Sequence, residues 1–145
     1  MAGAGTQADT DDGSGPAGAA AGATCGIVVV DDDADLRGML VILLQYEQGM
    51  RVIGDAGTAA ELEAIMAAGQ EPAVVLLDLH MPDTTAADVV ARIRSVWSGA
   101  RIVVYSGEDE AMARSHLGAV ALHGVSFVTK GDPRELLEHL RSLRP

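Results

Sequence analysis

One cysteine, one lysine, one phenylalanine and one tryptophan occur in 145 residues. A lone Cys25 excludes an intrachain disulfide and any thiolate metal cluster, and with them the scaffolds of small secreted proteins. Aromatic residues make up only 3% of the chain. The core must therefore be built from Val, Leu, Ile, Met and Ala, which suits an α/β domain better than an aromatic-rich sandwich. Positive charge is scarce as well: 21 acidic against 10 basic residues leave a net charge of −11. That excess repels phosphate backbones and argues against direct nucleic acid binding. No apolar run approaches the ~18 residues needed to span a bilayer, and the first residues lack the basic start and apolar core of a secretory signal. Membrane insertion and secretion are disfavoured, and the cytoplasm is the expected compartment.

Large apolar residues are missing altogether between Ala2 and Thr24, where Ala and Gly dominate. Such a stretch buries too little surface to offset its ordering entropy. Residues 1–24 are thus expected to be a disordered leader, and residues 25–145 one domain of the common size.

From Gly26 the pattern changes. Ile27 to Val30 is an apolar β-branched run of the kind found in strands covered on both faces, and it stops at Asp31. Leu36, Leu40, Leu43 and Leu44 then share one helical stripe, with Asp33 more plausibly its cap than a ligand. A short strand from Met50 to Ile53 ends at Gly54 and Asp55, and Thr58 with Glu61 reads as a capping box for a helix carrying Leu62, Ile65 and Met66. Ala73 to Leu77 repeats the buried-strand pattern and stops at Asp78. Thr85 with Asp88 begins a helix whose apolar face is Val89, Ile93 and Val96. Arg101 to Tyr105 is a fourth strand that stops at Ser106. Glu108, Asp109 and Glu110 start a fourth helix, which Gly118 interrupts. Val125 to Thr129 forms the fifth strand, followed by Lys130. Asp132 and Pro133 then cap a last helix with Leu136, Leu137, Leu140 and Leu143 facing inward. Trp97 and Met112 read as packing residues. His116, His123 and His139 show no metal-ligand spacing and read as surface or partner-face residues.

Strands alternating with helices imply parallel pairing and an open doubly wound sheet, whose functional crevice lies beyond the carboxyl ends of the strands. Those ends carry Asp31, Asp32 and Asp33, then Asp78, then Ser106, then Lys130. Carboxylates crowded on one edge repel one another, and a hard cation with oxygen ligands relieves this; Mg²⁺ suits two or three protein oxygens plus waters and a phosphoryl group. A lysine and a hydroxyl alongside complete a cradle for phosphoryl oxygens, with an aspartate as the natural acceptor. Lys130 stands out because the other nine basic residues are all arginine. A compact ammonium fits between carboxylates where a planar fork does not; the bland alternative is a solvated charge at a strand end.

These residues resemble the receiver domain of two-component response regulators over Gly26 to Arg144. The match comprises Asp31 and Asp32 after three valines, Asp78 within Leu-Leu-Asp-Leu-His-Met-Pro, Ser106 after Ile-Val-Val-Tyr, and Phe127 three residues before Lys130. The resemblance implies a flavodoxin-like doubly wound (βα)5 fold with a parallel five-stranded sheet in the order 2-1-3-4-5. It implies that Asp78 is the phosphoacceptor, attacking phosphorus presented by a histidine kinase or phosphotransfer protein. By the same resemblance Asp32 and Asp78 ligate Mg²⁺ through their side chains, His80 through its backbone carbonyl, and Asp31 through a water. Lys130 pairs with the Asp78 carboxylate and then with the phosphoryl group, while Ser106 and Phe127 act as the switch toward a downstream protein target or homodimer. Phe127 is otherwise a core residue. The His80 side chain and Glu108 either tune hydrolysis or are solvated loop residues. A receiver of this kind is not an enzyme in its own right, although it promotes its own phosphorylation and dephosphorylation.

The segment Asp83-Thr84-Thr85-Ala86-Ala87 departs from the family's usual continuation, and Gly131 replaces a common proline. Lysine without that proline resembles receivers that precede helix-turn-helix output domains, so the chain reads as a stand-alone receiver or as the receiver portion of a longer regulator. Two other readings compete. A pseudo-receiver would keep the fold and signal without phosphate. A haloacid-dehalogenase-like phosphatase also uses strand-end Asp, Ser or Thr and Lys, but wants Thr or Val where Asp35 stands.

Overall fold

In a computed structural model that describes residues 24–118 and 122–143, five parallel strands alternate with five helices. In chain order these are β1 (Cys25–Val30), α1 (Ala34–Gln45), β2 (Met50–Ala56), α2 (Ala59–Ala67), β3 (Val74–Leu77), α3 (Ala86–Val96), β4 (Arg101–Ser106), α4 (Glu110–Ser115), β5 (Val125–Thr129) and α5 (Pro133–Ser142). The sheet order is β2-β1-β3-β4-β5, and every pairing is parallel. This is the flavodoxin-like 2-1-3-4-5 arrangement expected from the sequence. The leader expected over residues 1–24 lies outside the described residues except for Thr24.

Alternation along each strand divides the core into two layers. Val28, Val30, Val75, Leu77, Ile102 and Val104 pack with Leu62, Met66, Val90, Ile93 and Trp97 of the α2, α3 and α4 side. Ile27, Val29, Val74, Leu76 and Val103 pack with Leu40, Leu44, Leu136 and Leu140 of α1 and α5. The central strands are buried on both faces, which explains their unbroken apolar runs.

Each helix begins on an oxygen that satisfies free backbone N–H groups. Asp33 accepts from the N–H groups of Asp35 and Leu36, Thr58 from Glu61, Thr85 from Asp88, Asp109 from Met112 and Asp132 from Arg134. The capping box at α2 differs in one detail. Glu61 Oε1 accepts from the N–H of Gly57, at 2.6 Å, rather than from Thr58.

Two expectations need correction, and the interruption at Gly118 can be located. Strand β2 does not stop at Gly54 and Asp55: these residues and Ala56 pair with Val28, Val29 and Val30 after a register shift, because the edge of β1 remains available to them. Met112 is not a packing residue; it lies 52% exposed, while Ala113 and Leu117 supply the buried face there. Helix α4 ends at Ser115, and Gly118 adopts a left-handed φ of 57° that only glycine takes without strain.

Candidate phosphoryl-transfer site

Backbone pairing just past the strands gathers the site. The N–H of Asp31 donates to Ala56 O, that of Asp78 to Val30 O at 2.8 Å, and that of Lys130 to Ser106 O at 2.7 Å. The first residues beyond β1, β3 and β5, together with the last residue of β4, are thereby locked side by side at the carboxyl edge. Asp31, Asp78 and Ser106 are the buried polar side chains among the described residues, at 2%, 7% and 3% exposure.

Lys130 bridges the two buried acids. Its Nζ lies 3.4 Å from Asp31 Oδ2 and 3.5 Å from Asp78 Oδ1. Burial and then the Asp31 charge push the Asp78 carboxyl above its ordinary value; Lys130 pulls it back down, and Asp32 adds to the rise through a hydrogen bond and its charge. A carboxylate so placed gains from any added cation. Oxygens of Asp31, Asp32 and Asp78 converge to within 4.8 Å of one another, with Asp32 exposed and the other two buried. An all-oxygen donor set open on one side fits a hard divalent ion such as Mg²⁺.

Neighbouring residues hold these groups in place. Asp31 Oδ1 accepts from the N–H of Asp33 at 2.9 Å, which fixes its carboxylate in the turn. Arg37 of α1 donates through Nη1 to Asp31 O at 2.6 Å and through Nε to Asp55 at 2.9 Å. Gly57 makes room for this arginine, since a Cβ there would meet Arg37 Nη1 at 2.6 Å. Asp83, in the altered loop after β3, accepts from the N–H groups of Ala59 and Ala60 and so ties that loop to the start of α2. Tyr105 packs with the α1 and α5 layer, and burial raises its phenol pKa against a hydrogen bond from the backbone of Gly131. The sequence marks Asp83 only as part of a departing loop and gives Arg37 and Tyr105 no role; the contacts of Asp83 with Ala59 and of Arg37 with Asp55 span 24 and 18 residues of chain.

Ser106 Oγ accepts from the N–H of Glu108 at 3.1 Å, which orients the loop before α4. Phe127 is half-buried against the α2, α3 and α4 layer, with the Arg114 guanidinium 4.7 Å from its ring centre. His80 and Glu108 stand together on the α4 side of the pocket, with His80 Nε2 3.6 Å from Glu108 Oε1. His116, expected to be a surface residue with no ligand role, joins them: its Nε2 lies 2.9 Å from the same oxygen. His139 is half-buried and its Nε2 is 2.7 Å from Ser126 Oγ, away from this site.

The chain belongs to the response regulator receiver domain family, whose model matches residues 27–141. Among curated relatives, a protein-glutamate methylesterase/protein-glutamine glutaminase 1 of Rhizobium johnstonii is 32% identical over 111 residues, covering 76% of this chain and 31% of that protein. The probable transcriptional regulatory protein TcrX of Mycobacterium tuberculosis is 30% identical over 119 residues, covering 81% of this chain and 48% of the relative. The chain thus spans less than half the length of these relatives. Among solved structures, the response regulator domain of Thermotoga maritima CheB superposes with a TM-score of 0.67 at 25% identity, covering 83% of this chain and 96% of that one. The chain is thus a receiver domain of the two-component type, and among the described residues no helix is long and apolar enough to cross a membrane.

Proposed function

We propose that this receiver accepts a phosphoryl group on Asp78 from the phosphohistidine of a partner histidine kinase or phosphotransfer protein in the cytoplasm. An Asp78 oxygen attacks phosphorus, the P–N bond breaks with its electron pair leaving on the imidazole, and an acyl phosphate remains on the protein. Asp32, Asp78 and the His80 carbonyl would hold Mg²⁺, with Asp31 acting through a water; when bound, the ion would neutralise charge on the carboxylates and phosphoryl oxygens. Lys130 leaves its ion pairs with Asp31 and Asp78 to donate to a phosphoryl oxygen, and the Ser106 hydroxyl donates to another. Both bonds are made to charge that arrives with the phosphoryl group, so the pocket is stabilised in the phosphorylated state. Phe127 then changes rotamer under Arg114, which alters the surface around α4 and β5 offered to a downstream protein target or a second copy. His80 and Glu108 border the path of the water that later removes the phosphoryl group, so the domain promotes its own dephosphorylation without being a turnover enzyme.

The observation that carries this reading is Lys130 held between two buried aspartates, at 3.4 and 3.5 Å. Ammonium placed there is needed only if negative charge is gathered at that point. The test is a small phosphodonor such as acetyl phosphate with Mg²⁺, followed by intact mass. One phosphoryl group per chain is expected, and none on Asp78→Asn. Failure of every donor and of any kinase to label the wild type would overturn the reading in favour of a phosphate-independent interaction module; turnover of phosphomonoesters would point instead to a phosphatase.

A further inference from the structure

We propose that His80, Glu108 and His116 form a second metal site, distinct from the aspartate pocket, for a borderline divalent ion of the zinc class. One ring nitrogen of His80, one of His116 and a Glu108 carboxylate oxygen converge so that all three donor atoms lie within 4.8 Å of one another. Glu108 Oε1 is 2.9 Å from His116 Nε2 and 3.6 Å from His80 Nε2. Ligands at the usual Zn–N and Zn–O bond lengths of about 2.1 Å stand roughly 3.4 Å apart in a tetrahedron, so the two measured separations bracket the required edge.

A second observation points the same way. Glu108 Oε1 is shielded from solvent yet accepts no hydrogen bond, although two imidazoles lie against it. His116 Nε2 and His80 Nε2 lie 2.9 and 3.6 Å from this oxygen, so three metal-binding groups meet at one point. A buried acceptor left in that state is costly, and a cation among the three donors satisfies it. The rings of His80 and His116 meet edge to face at 5.1 Å between centres.

The three ligands come from three elements: the loop after β3, the loop after β4 and the residue that caps the end of α4. Their backbones are held independently, Glu108 by its N–H bond to Ser106 Oγ and His116 by its N–H bond to Ala113 O. Beside them lies an open cavity of about 330 Å³ lined by His80, Met81, Thr84, Thr85 and His116 among others, which leaves room for water in the fourth position. His80 is 60% exposed and His116 36%, so an ion has a path in. Nitrogen donors select the ion: two imidazoles and one carboxylate suit Zn²⁺, Co²⁺ or Ni²⁺, whereas Mg²⁺ prefers the all-oxygen aspartate pocket. A bound ion ties the end of α4 to the loop that follows Asp78.

Titrating the full chain with Co²⁺ in saturating Mg²⁺ tests the site, followed by displacement with Zn²⁺. The expected result is a strong visible band of a tetrahedral cobalt centre at one ion per chain, which Zn²⁺ abolishes. His116→Ala and His80→Ala each remove the band and weaken Zn²⁺ about tenfold or more, since even losing a group that only orients a metal ligand costs that much. Asp78→Asn keeps both. No band in the wild type, unchanged Zn²⁺ affinity in the two histidine variants, or loss of the band in Asp78→Asn would each overturn the assignment. None of these outcomes depends on whether Asp78 takes up phosphate.

Discussion

Replacing Lys130 with methionine removes the ammonium while keeping most of the side-chain bulk. At 3.4 and 3.5 Å each contact carries a gross attraction of about 5 kcal/mol at an effective dielectric near 20. Desolvation of the ammonium and water reaching a side chain that is 28% exposed offset much of that. A net loss of about 2 kcal/mol is therefore expected in EDTA at neutral pH, or roughly 8 °C in Tm for a domain of this size. Trp97, 2% exposed in the core, provides the fluorescence signal for denaturant titration. The loss also has a pH signature. The folded Asp78 carboxyl holds its proton to higher pH than the unfolded 3.8, so its contribution favours folding in acid and is lost as pH rises through the raised value. Lys130 opposes that rise, so the deficit of the variant is greatest at neutral pH and shrinks toward pH 3.8 as the carboxyl becomes neutral. Mg²⁺ shrinks it as well, by supplying the missing positive charge. A deficit that is flat with pH and with Mg²⁺, or a variant more stable than wild type at neutral pH, would refute the electrostatic account.

Mg²⁺ should stabilise the wild type by mass action, about 2.7 kcal/mol at a hundred times Kd, and thermal melts of Asp32→Asn should lose most of that increment. His139 titrates below 6.5 because burial disfavours its charged form. The folded state therefore binds fewer protons there, and stability falls as pH drops below 6.5; His139→Gln should flatten that decline in melts between neutral pH and mild acid. Asp83→Ala removes the oxygens that accept from Ala59 and Ala60 and should cost about 1 kcal/mol in denaturant titration, with hydrogen exchange faster at the start of α2 than in α5.

Local chemistry made much of the molecule readable before any coordinates. Apolar runs that stop at Asp31, Asp78, Ser106 and Lys130 mark strands by their burial, and Asp33, Thr58, Thr85 and Asp132 mark helix starts, because a cap acts within three residues of its own position. The rarity of lysine directed attention to Lys130 for the same kind of reason: the choice between ammonium and guanidinium is made at one position. Lateral neighbours were another matter. Nothing in the order of residues places Asp83 against Ala59 or Arg37 against Asp55, since each contact depends on how loops and helices lie across a sheet whose strand order differs from chain order. The same holds for Met112, left outside while Ala113 of the short α4 and Leu117 just after it turn inward. Burial periodicity and capping are settled over one or two turns of chain, whereas the convergence of distant side chains is settled only when two packed layers close on the sheet.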